Sequence, residues 1–165
     1  MKDTLTRNAL VTLIFFLEVG TLFAQTNFSG GYAIDTAKTD FGRAPQWVLP
    51  VSFTINQQGA KVTVTRYTRD AQGNKNSYSE QLTPYDTVTT KITGNLSRKT
   101  ILTWGTDQTN FMLIYFTTDS TGKPLNKATE KWSLQEGGKT LVLDRFVEQA
   151  NGLSYPITGY YTKAN

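Results

Sequence analysis

The sequence predicts an all-β domain, an antiparallel up-and-down β-barrel of about ten strands with little helix, and three observations predict it. Beyond residue 28, apolar and polar residues alternate with a period of two. Short Gly, Asn and Asp clusters cut the alternation into runs. No stretch beyond residue 28 keeps a 3.6-residue period over three turns. A row of short hairpins would leave two bare sheet edges, and closing the sheet removes them, so a barrel is favoured over an open sandwich.

The first residues read as an address. Lys2 and Arg7 make a charged start, residues 9–17 (ALVTLIFFL) an apolar run, and Thr21-Leu22-Phe23-Ala24 ends on a small residue. This is the pattern of a secretory signal over 1–24, leaving a single domain over 25–165. The apolar run is too short for a bilayer and stops at Glu18, so no membrane span is expected after signal removal. The chain has no Cys, which excludes both a lipid anchor on Cys and disulfides. Stability must come from burial.

The strands follow in order. Residues 29–35 form the first. Trp47, Leu49, Val51, Phe53 and Ile55 fall on one face of a long second strand, in which Pro50 marks an edge or a bulge. The third carries Val62, Val64 and Arg66 on one face and ends at the turn Asp70-Ala71-Gln72-Gly73-Asn74. The remaining runs are 75–82, 85–92, 98–105, 110–117, 127–135, 139–147 and 153–162. Their links are short, so neighbouring strands must be antiparallel.

An apolar share of 38% with 12% aromatics suits strands that have one wet face. The formal charge is +4, but Lys and Arg are scattered along the chain, which speaks for solubility and against a nucleic-acid partner. With no His and no Cys, the chain lacks the commonest general base, soft metal ligands and any Ser-His or Cys-His nucleophile. No cofactor, metal site or catalytic residue is expected.

Two strands carry an unusual inner face. Residues 59–67 (GAKVTVTRY) match 138–146 (GKTLVLDRF) position for position, and each puts an Arg among apolar residues. The hairpin through Glu136-Gly137-Gly138 sets Leu134 across from Leu141, Trp132 across from Leu143 and Glu130 across from Arg145. Arg66 then falls near Tyr78 or Glu80. The candidate ligand-binding residues are therefore Arg66, Tyr78, Glu80, Glu130, Trp132 and Arg145. Unpaired charges inside a barrel are costly, so these groups either pair with one another or meet a wet cavity. In the first reading they are structural ion pairs that close one end of the barrel over Tyr32 and Trp132. In the second, an Arg is offered to a ligand carboxylate through two parallel hydrogen bonds. Two Glu residues could hydrolyse a glycoside on residue type alone. An Arg beside each lowers its pKa and opposes the acid role, so no enzyme is expected.

Aromatic residues allow the same two readings. Trp47, Phe53, Trp104, Phe111, Tyr115 and Trp132 serve as core or line a pocket. Met112, Ile114 and Phe116, opposite Phe111, Leu113 and Tyr115, make one strand apolar on both faces. Such a strand lies between packed layers or presents an outer patch for a partner or a weak homo-oligomer.

Phe28-Ser29-Gly30-Gly31-Tyr32, Asp35-Thr36-Ala37-Lys38-Thr39-Asp40-Phe41-Gly42, the Val-x-Val-x-Arg strand and Glu130-Lys131-Trp132-Ser133-Leu134 before Gly-Gly-Lys-Thr-Leu occur in that order. In this the chain resembles the small secreted lipocalin-like proteins of Gram-negative bacteria. The resemblance implies a calycin-type barrel in the periplasm or outside the cell. In lipocalins a Trp on the first strand packs beneath an Arg of a late strand; Tyr32 stands in the Trp position here. The resemblance carries fold further than function; barrel and inward arginines together give the expected function, binding of a small hydrophobic or amphipathic ligand, one bearing an anionic group. The rival is a structural or protein-interaction module of the cell envelope with a filled core.

Overall fold

A computed structural model describes residues 25–92 and 95–164. The signal read over 1–24 and part of the turn Thr93-Gly94-Asn95 lie outside them. The alternating runs form β1 (Gly30–Ile34), β2 (Ser52–Gln58), β3 (Lys61–Arg69), β4 (Lys75–Leu82), β5 (Thr87–Ile92), β6 (Leu96–Trp104), β7 (Asn110–Thr118), β8 (Pro124–Gln135), β9 (Thr140–Gln149) and β10 (Ser154–Lys163). They make one antiparallel sheet in the order β4-β3-β2-β1-β10-β9-β8-β7-β6-β5. Chain neighbours pair throughout except at β4 and β5, and β10 returns to β1, so the up-and-down barrel is nearly closed.

At the seam between β4 and β5 side chains replace the ladder. Thr100 Oγ1 donates to Glu80 Oε1 at 2.6 Å, and Arg98 Nη1 donates to the Tyr78 hydroxyl at 2.6 Å. The link between β4 and β5 is held to β6 by Tyr85 N–H on the Leu102 carbonyl and by a lone bridge from Pro84 to Leu102. A barrel was expected to remove its edges altogether; this one stitches its last pair from inside.

The second strand starts later than the alternation implied. Prolines 45 and 50 bracket a segment that curls into a 3-10 turn, Gln46–Val48, before β2 begins at Ser52. Trp47 consequently stands about half exposed (49%) and not on the inner face. Pro50 is buried ahead of the strand and marks neither bulge nor edge within it. Leu49 enters the barrel where β10 has Gly159, whose missing side chain leaves the room: a Cβ there would lie 3.0 Å from Leu49 Cδ1. Among the described residues the other helical piece is the 3-10 turn Glu136–Gly138.

The two ends of the barrel are finished differently. The end holding Gly59-Ala60 and residues 105–109 is plugged by the segment before β1. Thr26 N–H bonds the Gln108 carbonyl, Gln57 bonds both Thr26 and Phe28, and the Phe28 ring packs edge-on against Phe111 at 4.8 Å. Trp104 donates to the Ala60 carbonyl across this floor. At the other end, Asp70 and Asp119 each begin a tight turn by accepting backbone N–H groups two and four residues on, with a glycine at positive φ between. That end stays open.

Candidate functional site

Inward alternation stacks the barrel interior in layers. Next to the plugged end lie Val62, Leu82, Leu102, Phe111, Trp132, Leu141 and their neighbours, all buried. One layer above, the same alternation delivers Arg66, Glu80, Thr100, Tyr115, Glu130 and Arg145. Glu130 pairs with Arg145, Trp132 with Leu143 and Leu134 with Leu141, the register expected from the hairpin. Arg66 meets both alternatives offered for it: Tyr78 is its strand partner, and Glu80 Oε2 lies 3.6 Å from its Nε.

Glu130 is the hub. Arg66 donates to its two oxygens at 3.4 and 2.8 Å, Tyr115 donates to Oε1 at 3.1 Å, and Trp132 Nε1 donates to Oε2 at 3.2 Å. Burial opposes the charge on Glu130, but the guanidinium groups of Arg66 and Arg145 outweigh it and hold its carboxyl below the usual range. Burial likewise opposes the charge on Arg66, and Glu130, Tyr78 and Glu80 more than restore it. The Arg66 guanidinium also lies between the Trp132 ring, 5.2 Å from its centroid, and the Phe53 ring, at 5.5 Å. Although its Nε, 3.6 Å from Glu80, has no hydrogen-bond partner, Arg66 is hydrogen-bonded to a carboxylate through two nitrogens.

Arg145 and Arg98 are not. Arg145 donates Nη1 to the Val48 carbonyl at 2.7 Å, tying the 46–50 segment to the charged layer, but its Nε is 3.8 Å from Glu130 and has no hydrogen-bond partner. Arg98 is 8% exposed and lies 4.1 Å from the Tyr115 ring centroid; its Nε too is buried without a partner. Sequence reasoning missed Arg98. The signal was present, because Leu102 and Trp104 share the inner face of β6, and two further steps of two reach Thr100 and Arg98.

Above this layer a cavity of about 320 Å³ opens at the unplugged end. Arg66, Tyr78, Arg98, Tyr115, Glu130 and Arg145 line its floor and wall, and Trp47, Val48, Pro50, Ile92 and Leu96 line its mouth. Of the candidate residues, Glu80 and Trp132 are buried outside this lining, Glu80 at the seam and Trp132 in the layer beneath. In the charged layer the guanidinium groups of Arg66, Arg98 and Arg145 face the carboxylates of Glu80 and Glu130, a formal excess of one positive charge, and Arg69 and Asp70 add one charge of each sign to the cavity lining.

No family model matches the sequence, and no curated protein matches it. Solved structures do match. The REP1-NXSQ fatty acid transporter superposes with a TM-score of 0.55 at 9% identity, over 83% of this chain and 96% of its own. Human cRBP IV gives 0.51 at 18%, over 84% and 99%. The zebrafish ileal bile acid-binding protein, complexed with cholic acid, gives 0.52 at 12%, over 83% and 98%. The fold they share with this chain is a nearly closed up-and-down β-barrel.

Within this barrel the pairing of ring and cation expected from the resemblance takes another form. Tyr32 lies under Lys163 of the last strand, its ring centroid 5.8 Å from Nζ, at the plugged end. The Arg and Glu residues therefore do not close an end over Tyr32. They form a layer across the middle, with Arg66 over Trp132.

Proposed function

We propose that the protein is an exported, non-catalytic binding protein for a small, partly apolar molecule bearing one negative charge. The observation that carries this reading is the cup itself: a cavity of about 320 Å³ beside a charged layer with one more guanidinium than carboxylate, in which Arg66 hydrogen-bonds Glu130 while Arg98 and Arg145 hydrogen-bond no carboxylate. A single carboxylate would balance the charge and engage Arg98 and Arg145 together. The volume lies at the lower end of the range of roughly 300–1,000 Å³ for small-molecule pockets, and the filled layers beneath leave no room for a long chain to descend. The neighbours in fold support the class of ligand. A fatty acid and cholic acid each join one carboxylate to an apolar body.

Two measurements test it. Native mass spectrometry of protein purified from its own host should show one added small mass. Titration calorimetry with short apolar monocarboxylates should give binding about tenfold or more tighter than with the corresponding amides. Equal binding of acid and amide removes the charge from the reading. The tightly filled lower core favours the rival, an envelope module without a ligand, and neither added mass nor binding of any acid would establish it.

A further inference from the structure

The outer wall of the barrel is not uniform. On β5–β8 the outward side chains include Ile101, Met112, Ile114 and Phe116, with Met112 and Phe116 exposed at 37% and 42%. Register places lysines around them. Phe116 lies between Lys99 and Lys127 in one row of the sheet, and Met112 lies beside Lys131 in another. Ile114 sits between, next to Ile101. Lys91 extends the basic side along β5, and no outward residue of β5–β8 is acidic. Acid returns on β9, where Glu148 pairs with Lys127 at 3.0 Å and Asp144 is the strand partner of Lys131.

The wall across the barrel makes the contrast. There the middle rows of β2–β4 present Thr54, Asn56, Thr63, Thr65, Ser77 and Ser79, and the exposed ring of Tyr67 stands in a row with Ser52 and Ser77 and no lysine. Its cations, Lys61, Arg69 and Lys75, sit at strand ends beside turns. Among the described residues, only the β5–β8 wall joins exposed apolar side chains to lysines in the same rows.

We infer that the outer wall of β5–β8 docks on an anionic lipid surface. Apolar side chains set among lysines match such a surface in two ways. The apolar groups enter the headgroup boundary, and the lysine stems lie along it with their ammonium groups on the phosphates. Attraction between a basic patch and anionic lipid adds with each Lys close to the surface. A purely ionic partner would have no use for Met112 and Phe116, and a neutral apolar one none for the lysines. The inference stands apart from the cup, which faces inward.

Residues 25–165 contain every described strand and the whole described core, and cosedimentation of this barrel with vesicles is the test. Binding is expected to vesicles of phosphatidylcholine with phosphatidylglycerol, and not to phosphatidylcholine alone. Lys99→Glu with Lys131→Glu should weaken it by about tenfold or more. Lys61→Glu with Lys75→Glu makes the same change in net charge on the other wall and should leave most binding intact. Phe116→Ser should weaken binding without a change in charge, and thermal melts confirm that each variant folds. Equal binding to both vesicle types, equal loss from the two charge reversals, or adsorption to polyglutamate but not to anionic vesicles would each overturn the inference.

Discussion

The plugged and the open halves of the barrel are made by the same alternation of side chains, yet they solve opposite problems. Near the plugged end, rings pack edge to face or stacked, as Phe111 does with Phe28 and Trp132, and the main-chain segment 25–28 seals what the strands leave open. Polar atoms there are few and satisfied. One layer higher, the inward positions carry five formal charges, and they divide between two tasks. Arg66 hydrogen-bonds Glu130 through two nitrogens and lies 3.6 Å from Glu80, and the three act as a polar lid on the aromatic floor. Arg98 and Arg145 hydrogen-bond no carboxylate and line the open space. A structural network is marked by guanidinium matched to carboxylate, and a binding site by guanidinium left without one next to a cavity.

The strongest way to break that division is to attack its two supports. Trp132→Ala removes a fully buried ring from the floor and should cost about 3–5 kcal/mol in urea unfolding. Arg66→Ala should cost a similar amount, about 3–5 kcal/mol, because it strands two buried carboxylates. If Arg66→Ala instead left stability intact while abolishing ligand binding, Arg66 would belong to the cup and not to the lid.

Acid sharpens the same comparison, with a smaller effect. Glu130 has its folded pKa depressed by Arg66 and Arg145, so its contribution is present above the unfolded value, near 4.3, and is lost as pH falls through the lower folded value. Tyr115 and Tyr161 have theirs raised by burial, so their contribution is present below about 10 and is lost as pH rises above it. Melting temperature measured against pH should therefore show a plateau between, falling on both sides. Glu130→Gln should flatten the acid limb. An unchanged acid limb would place the responsible carboxylate elsewhere.

Much of this architecture could be read before any coordinates. The β8–β9 register followed from one short turn and the positions of Leu134 and Leu141, and it brought Glu130 to Arg145 correctly. The internal match of 59–67 to 138–146 located both inward arginines for the same reason: in a strand, two residues of the same parity share a face. Failures came where parity does not apply. Trp47 was counted across Pro50, and a proline that cannot join a ladder also ends the strand's phase. Phe28 precedes any alternating run, so nothing periodic marked it as the plug. The incomplete pairing of Arg98 and Arg145 depends on which acids reach them in space, and no spacing along the chain records that.

Arg98→Met separates binding from stability more finely. The residue is buried with an unpartnered Nε, so replacing its charge with an apolar chain of similar length should change unfolding free energy by no more than about 1 kcal/mol. Binding of a monocarboxylate should nonetheless fall by about tenfold or more, since the formal excess of positive charge disappears. A large loss of stability instead would make the bond to Tyr78, and not the cup, the main task of Arg98.

The smallest effect concerns one oxygen. The Tyr78 hydroxyl accepts from Arg98 Nη1 at 2.6 Å, and its own proton remains free to donate. In an occupied cup that proton can reach the same carboxylate that Arg98 engages, so hydroxyl and guanidinium would hold the anion jointly. Tyr78→Phe keeps the ring against Arg98, whose guanidinium lies 5.2 Å from the centroid, and deletes only the oxygen. Stability should drop by about 0.5–1.5 kcal/mol for a single lost hydrogen bond. Affinity for a monocarboxylate, read by calorimetry, should weaken by about two- to tenfold, the equivalent of one such bond. Tighter binding would reverse the assignment, because a hydroxyl whose removal helps the ligand is one that competes with it for Arg98.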